Sequence, residues 1–303
     1  MYRPPEVPPA SDATVDRLAR LLRGRRTAVL TGAGCSTESG IPDYRGPRQR
    51  ERVRRPIQHL EFIRSPEVRA RYWARSLLGW RSFAAPRPNA AHRALAELEG
   101  AGVVSGLITQ NVDRLHHKAG SARVIELHGA LERVRCLGCG FVVSRFELQH
   151  TLIELNPGFL EAHLAEIRPD GDAELPPEAE RSFRVPDCAA CGGVLKPDVV
   201  FFGANVPPAI VAEAFTTVES ANALLVVGSS LTVYSGYRFV ERAAERAIPI
   251  AIVNVGQTRG DSLAALKVEA LAGNVLPRLV AALGTRARNG GPRERRGNAG
   301  PPK

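Results

Sequence analysis

The stretch VIELHGALERVRCLGCGF, residues 124–141, sets His128 eight positions ahead of a Cys-x-x-C pair, Cys136 and Cys139. A second pair, Cys188 and Cys191, follows after 48 intervening residues, and the fifth cysteine, Cys35, stands alone. Four thiolates on two such knuckles make a closed tetrahedral zinc site with no position left for water. In a chain without a secretion signal, this pattern reads as zinc rather than disulfide. The metal then serves shape, contributing folding free energy to a module too small for a core of its own. His128 is surplus to that metal, unless it displaces one of the cysteines, and a surplus imidazole can move protons near neutral pH.

GAGCSTESG, residues 32–40, opens like the G-x-G-x-x-G dinucleotide fingerprint. Gly32 and Gly34 match its first two glycines, but Thr37 stands at the third and the next glycine is Gly40. The fingerprint also wants an acid about 20 residues on, ending a second strand. Glu51 has that count, yet RQRERVRR around it is no buried strand. Hydride transfer is therefore excluded. A backbone cradle for phosphate survives, as does a plain tight turn. In TQNVDRLH, residues 109–116, Asn111 and Asp113 lie at alternate positions just past an apolar run. They suit a carboxamide and a ribose, or Asp113 simply caps the next helix.

Apolar runs begin near 27, 103, 223 and 248, each passing into Gly, Ser, Thr, Asn or Asp. Helical spacing recurs between them, at 11–22 (with Ser11 as N-cap), 91–98, 208–219 and 237–246. Apolar strands alternating with helices predict an α/β fold, a Rossmann-like parallel sheet covered by helices on both faces. Ligands of such sheets bind at the C-terminal strand edge, so a nucleotide is the default expectation. Two stretches break the alternation. Residues 130–196, with both cysteine pairs, read as a small inserted zinc module. Residues 46–86 are basic, helical in pattern and strandless. The domain is expected to span 11–283, between a loose leader (1–10) and a disordered basic tail (284–303).

At 44% hydrophobic and 24% charged, the chain reads as an ordinary globular protein without a membrane span. The net charge of +10 invites nucleic acid, but the last twenty residues hold six basic residues and one acidic, or +5. The remaining +5 over 283 residues is a mild excess, so nucleic acid is not expected as the main partner. Glu6, Asp12 and Asp16 near the N-terminus argue against a targeting peptide, and a cytoplasmic location is expected.

GAG-x-S with GIPDYR, TQNVDRLH, ELHG, the two C-x-x-C pairs, KPDVVFFG, VVGSSLTVYSG and VNVG occur in one order. From about 15 to 280 the chain thereby resembles the sirtuin family, NAD-dependent protein-lysine deacylases. STESGIPDYR, RRPIQH, RYWAR, APRPNAAH and RPDGD look most like its class II branch. The resemblance implies that His128 is the general base. It implies NAD along the sheet edge, with the pyrophosphate against Gly32, Ala33, Gly34, Gly228, Ser229 and Ser230. Nicotinamide would lie by Ile41, Asn111 and Asp113, with Ser36, Asp43 and Tyr44 nearby. Gln110 would meet the ribose and Arg45 the phosphate side; Asn254, Val255, Gly256 and Ala272 would meet the adenosine.

The acyl-lysine carbonyl oxygen would attack the ribose carbon as nicotinamide departs. His128 would then deprotonate a ribose hydroxyl, leading to an O-acyl-ADP-ribose. The acylated protein or peptide would add as a strand between Val200, Phe201, Phe202, Gly203 on one side and Leu231, Val233 on the other. One of the two phenylalanines is expected to be plain core. Tyr72 and Arg75, one turn apart, would recognise an acidic acyl group or merely share a packed helix face. Cys35, where the family usually has Ile, would make the NAD loop sensitive to oxidation. Mono-ADP-ribosylation of a protein acceptor at the same NAD site is the alternative activity. The sequence leaves the oligomeric state open.

Overall fold

Each of the four apolar runs becomes a strand in the computed structural model, which describes residues 4–43, 56–163 and 175–284. The strands are β1 (Thr27–Thr31), β2 (Val104–Thr109), β3 (Val124–Glu126), β4 (Gly129–Cys136), β5 (Val142–Ser144), β6 (Leu195–Val199), β7 (Ala223–Val227), β8 (Ile250–Val253) and β9 (Leu266–Val268). The helices are α1 (Asp12–Leu22), α2 (His59–Arg64), α3 (Pro66–Ala84), α4 (Ala90–Gly100), α5 (Leu115–Lys118), α6 (Arg145–Leu155), α7 (Phe159–Ala162), α8 (Pro177–Arg181), α9 (Pro208–Glu219), α10 (Tyr234–Glu245) and α11 (Ala272–Leu283). None of these helices is long and apolar enough to cross a membrane.

Six strands form one parallel sheet in the order β3-β2-β1-β7-β8-β9. Counted among themselves, these strands run 3-2-1-4-5-6, the doubly wound order of dinucleotide-binding sheets. Every residue of β1, β7 and β8 is buried. Alternate side chains serve opposite faces. Val29, Leu107, Leu225 and Ala251 pack under α1, α4 and α11. Ala28, Leu30, Leu224, Val226 and Ile252 pack under α9 and α10. Ser11 caps α1 as expected, accepting from the Thr14 amide, and Val15, Leu18, Ala19 and Leu22 form its buried stripe.

The two insertions are one body. β4 pairs antiparallel with β5 and β6 to make a three-stranded sheet apart from the large one. The described part of the second insertion, from residue 56, is helical, α2 and α3, with one bridge between Gln58 and Phe202 among the described residues. Phe62, Tyr72, Trp73 and Leu77 from α2 and α3 share a core with Val134, Leu148, Leu152, Phe183 and Leu195 from the cysteine-bearing region. Arg145 of α6, fully buried, lies over the rings of Trp73 (5.6 Å) and Trp80 (4.9 Å). It also donates to Ser76 O and Gln149 Oε1. The cysteine module therefore does borrow a core, and α3 supplies it. Residues 46–55, 164–174 and 285–303 lie outside the described residues.

Candidate functional site

The chain order of the sheet reverses between β1 and β7, and their C-terminal ends open the crevice where such sheets bind ligands. Two glycine turns interlock there. The Gly32 amide donates to Val227 O (3.1 Å) and the Gly34 amide to Gly228 O (2.8 Å). A Cβ on Gly32 would lie 2.8 Å from Ser229 Cβ, and one on Gly34 2.9 Å from Gly228 O. Gly228 itself has φ +60, where an L side chain is strained. The missing third fingerprint glycine has a structural reason. After Gly32 the chain makes two 3-10 turns, Ala33–Cys35 and Thr37–Ser39, where the fingerprint opens a long helix.

Ser36, Asn111 and Asp113 meet beneath these turns. Ser36 Oγ donates to Asp113 Oδ2 at 2.6 Å, and Asn111 Nδ2 donates to Gly32 O (3.0 Å) and Ser36 Oγ (3.1 Å). Asp113 also accepts from the Leu115 amide at the start of α5, although Arg114, at φ +60, holds the N-cap position itself. Burial pushes its carboxyl above the usual range against the pull of Ser36. Ile41 is buried with Trp80 and Leu115 nearby, and Asp43 follows, partly buried. Tyr44, Arg45 and Glu51 lie outside the described residues.

His128 sits between β3 and β4, its ring held at both nitrogens. Nδ1 is 2.9 Å from Gln110 O and Nε2 is 2.9 Å from Ser235 Oγ. A carbonyl only accepts, so Nδ1 carries the proton and Nε2 of the neutral ring is the basic atom. Burial lowers the pKa of His128; the Gln110 carbonyl opposes that and Arg238 adds to it. Burial and the guanidinium thus both favour the neutral ring. Gln110 Nε2 donates to Ser229 Oγ (2.8 Å) and Thr31 O (3.3 Å), joining His128 to the glycine turns. Ser235 and Gly236 end GSSLTVYSG, the segment 228–236 expected to flank the peptide, and they stand beside this network, a role that the motif alone does not give them.

On the far side of β7, Asn254 Nδ2 donates to Val255 O (2.8 Å) and Gly256 O (3.3 Å). Ala272, buried, starts α11, whose Gly273 amide donates to Glu38 Oε2 (2.7 Å). Ser230 Oγ lies 3.0 Å from Thr232 Oγ1. Leu231 follows at φ +57, a conformation a bulky side chain seldom adopts.

The four paired cysteines converge. All four Sγ atoms lie within 4.8 Å of one another, with Cys136–Cys191 at 3.5 Å and Cys139–Cys188 at 3.9 Å. Zinc–sulfur bonds of about 2.3 Å in a tetrahedron put sulfurs about 3.8 Å apart, so the set fits zinc. Disulfides would need about 2.05 Å. Backbone N–H groups of Cys139 and Gly138 help pull the Cys136 thiol down to about 6, towards the thiolate a metal takes. His128 stands outside the set.

Cys35 departs from the expectation placed on it. It is fully buried, facing His92 and His116, and burial with Asp113 and Glu38 nearby pushes its thiol pKa far up. A buried thiol that resists ionisation is a poor target for oxidants.

Just past β6, the Val200 amide donates to His128 O (2.9 Å), extending the β4–β6 pairing. Phe201 packs edge-on against Phe62 and lies 5.4 Å from Tyr72, while Phe202 is 45% exposed. Gly203 and Val233 are also exposed. Arg75 does not face solvent in wait for an acid. Its Nε and Nη2 both meet Glu180 Oε1 at 2.6 Å, and both side chains are nearly buried. Tyr72 stands edge-on to Phe62 and Trp73. Nothing local in the sequence signals Glu180 as the partner.

The sequence model of the Sir2 family matches residues 32–235. "NAD-dependent protein deacetylase 1" of Mycobacterium avium (strain 104) is 56% identical over 256 residues, 83% of this chain and 89% of that protein. "NAD-dependent protein lipoamidase sirtuin-4, mitochondrial" of Homo sapiens is 51% identical over 278 residues, 90% of this chain and 88% of its own. The solved structure "Sir2-p53 peptide-NAD+" matches with a TM-score of 0.71 at 32% identity, covering 89% of this chain and 98% of that one. The chain belongs to the Sir2 family, the sirtuins.

Proposed function

We propose that this protein is an NAD-dependent protein-lysine deacylase that moves an acyl group from lysine to ADP-ribose and releases nicotinamide. Relatives named NAD-dependent protein deacetylase at 53–56% identity support the activity. The observation that carries the residue assignment is the 2.9 Å contact of His128 Nδ1 with the Gln110 carbonyl, which requires Nδ1–H and leaves a basic Nε2 beside the crevice.

In this reading Gly32, Ala33, Gly34, Gly228, Ser229 and Ser230 offer backbone amides and hydroxyls to the NAD phosphates. Asn254, Val255, Gly256 and Ala272 hold the adenosine end. Ser36, Ile41, Asp43, Asn111 and Asp113 enclose the nicotinamide end and keep water from it, and Gln110 orients the ribose. NAD supplies the electrophilic ribose carbon; His128 Nε2 takes the ribose hydroxyl proton. Cys136, Cys139, Cys188 and Cys191 would hold one zinc, which fixes shape and takes no part in the chemistry.

The substrates are acylated proteins, entering along Val200–Gly203 and Leu231–Val233. Arg75 is already committed to Glu180, which favours neutral acyl chains over acidic ones. A cytoplasmic location remains part of this reading, supported by paired cysteines whose geometry suits zinc ligation instead of disulfides.

The test is incubation with an acylated peptide and NAD labelled in the adenosine ribose. Label should appear on O-acyl-ADP-ribose. His128→Ala should keep NAD binding and lose at least about 100-fold in turnover. Label on protein, with no O-acyl-ADP-ribose, would make the protein a mono-ADP-ribosyltransferase and overturn the proposal.

A further inference from the structure

The first turn of α10 touches the proposed base and its support at two successive residues. Ser235 Oγ lies 2.9 Å from His128 Nε2. Gly236 lies against the Gln110 side chain so closely that a Cβ there would stand 2.5 Å from Gln110 Oε1. Gln110 is the residue whose carbonyl accepts from His128 Nδ1. One helix turn therefore braces the imidazole from one side and the group that orients it from the other.

The position of that turn is not loose. Phe239, Val240 and Ala243 anchor α10 in the core beneath β7 and β8. Leu231, buried at φ +57, turns the chain from the GSS loop towards the helix. Gly260 leaves room for Leu231, since a Cβ there would stand 2.7 Å from Leu231 Cδ1. Arg238, one turn further along α10, donates from Nε to Ser235 O at 3.2 Å. The hydroxyl is thus set by packing.

The direction of the hydrogen bond follows from the other nitrogen. With Nδ1–H committed to Gln110 O, Nε2 has a lone pair and no proton, so Ser235 must donate. A donor on Nε2 favours the neutral ring over the imidazolium. The positive end of α10 and the Arg238 guanidinium act in the same sense. Arg238 is the charged group that bears on His128; Gln110 and Ser235, its other neighbours, are neutral.

We propose that Ser235 is a positioning residue for His128: its hydroxyl holds the ring by Nε2 in the free protein and yields that nitrogen to the substrate hydroxyl. The exchange moves no net proton. Ser235 Oγ–H rotates off Nε2 as the ribose hydroxyl replaces it as donor. Without Ser235 the ring keeps only the Gln110 bond and can swing about it. This rests on the reading of His128 as the base.

The experiment uses the full chain with zinc bound. Nitrogen-15 NMR of the free protein should show His128 as the Nδ1–H tautomer, with an Nε2 shift that changes in Ser235→Ala. The pKa of His128, titrated in the same spectra, should rise by about half a unit in Ser235→Ala. The acid limb of kcat/KM should move up by the same amount. Turnover should fall about tenfold with KM for NAD little changed, and Ser235→Thr should restore both. An unchanged His128 pKa and acid limb in Ser235→Ala would overturn the proposal, as would the Nε2–H tautomer in wild type. Full turnover in His128→Ala would instead sink the assignment of the base itself. The NMR titration is independent of turnover, so the two failures are separable.

Discussion

Gly228 and Cys35 pack backbone against backbone: at φ +60, a Cβ on Gly228 would fall on the Cys35 amide nitrogen. The two glycine turns are therefore one interlocked surface, packed too closely for a side chain at residue 228. Gly228→Ala adds the left-handed penalty of about 1–2 kcal/mol to a steric overlap with immovable backbone. We expect a loss on the order of 3 kcal/mol in stability and no measurable NAD binding. Gly24→Ala is the control. It has φ +71 but nothing within 4 Å, so its Tm should fall slightly and NAD binding, by calorimetry, should stay intact.

What the sequence disclosed follows the range of the physics. Central parallel strands are buried on both faces, and that writes unbroken apolar runs at 28–30 and 223–227. β3 and β9 are three residues each at the sheet edges, too short to leave a run, and went unpredicted. A chelating pair is local, so Cys136 and Cys139 announced themselves. The role of His128 was legible only through likeness to a family. The YSG motif placed Ser235 near the peptide, but its contact with His128 was not legible, because only the fold brings the two together across 107 residues. The Arg75–Glu180 pair spans 105 residues, and no periodicity encodes it.

Removing the metal should unfold more than the cysteine knuckles. α2 and α3 complete the core of that region, so they should loosen with it, while the parallel sheet keeps its own two cores. Hydrogen exchange after chelation, or in Cys188→Ser, should show lost protection in α3 and β4 and retained protection in β1 and β7. Equal loss in β1 would show that the two bodies unfold as one.

Stability should fall below about pH 6.5. Burial lowers the pKa of His92 to about 3, holds His116 well below its usual value and lowers His128. In the unfolded chain all three take up protons near 6.5. Folded-state values that are depressed give stability present above the unfolded pKa and lost as pH falls. Each neutral histidine then costs up to about 1.4 kcal/mol per pH unit below 6.5, until its own folded pKa is reached. Asp113, pushed up by burial, works in the opposite sense and blunts the fall. Denaturant unfolding between pH 7 and 5 should show this slope, and His92→Gln should reduce it by about one proton. A slope unchanged in His92→Gln would mean that this ring is already charged in the fold.

The acyl preference turns on one ion pair. Glu180 Oε1 takes both Nε and Nη2 of Arg75 with little exposure of either side chain, so an acidic acyl group must displace a carboxylate already in place. Displacing it would leave the Glu180 charge partly buried and unpaired, a cost of several kcal/mol that a surface pair would not carry. Peptides with neutral aliphatic or lipoyl-type acyl chains should therefore release nicotinamide at least about tenfold faster than succinyl or glutaryl peptides, a gap of about 1.4 kcal/mol. Glu180→Gln frees the guanidinium while keeping the shape, and should narrow that ratio by raising the rate on acidic chains. A melting curve on the variant separates a change of preference from a loose module. If wild type already prefers acidic chains, Arg75 must leave Glu180 when substrate binds, and the ion pair is a latch instead of a filter.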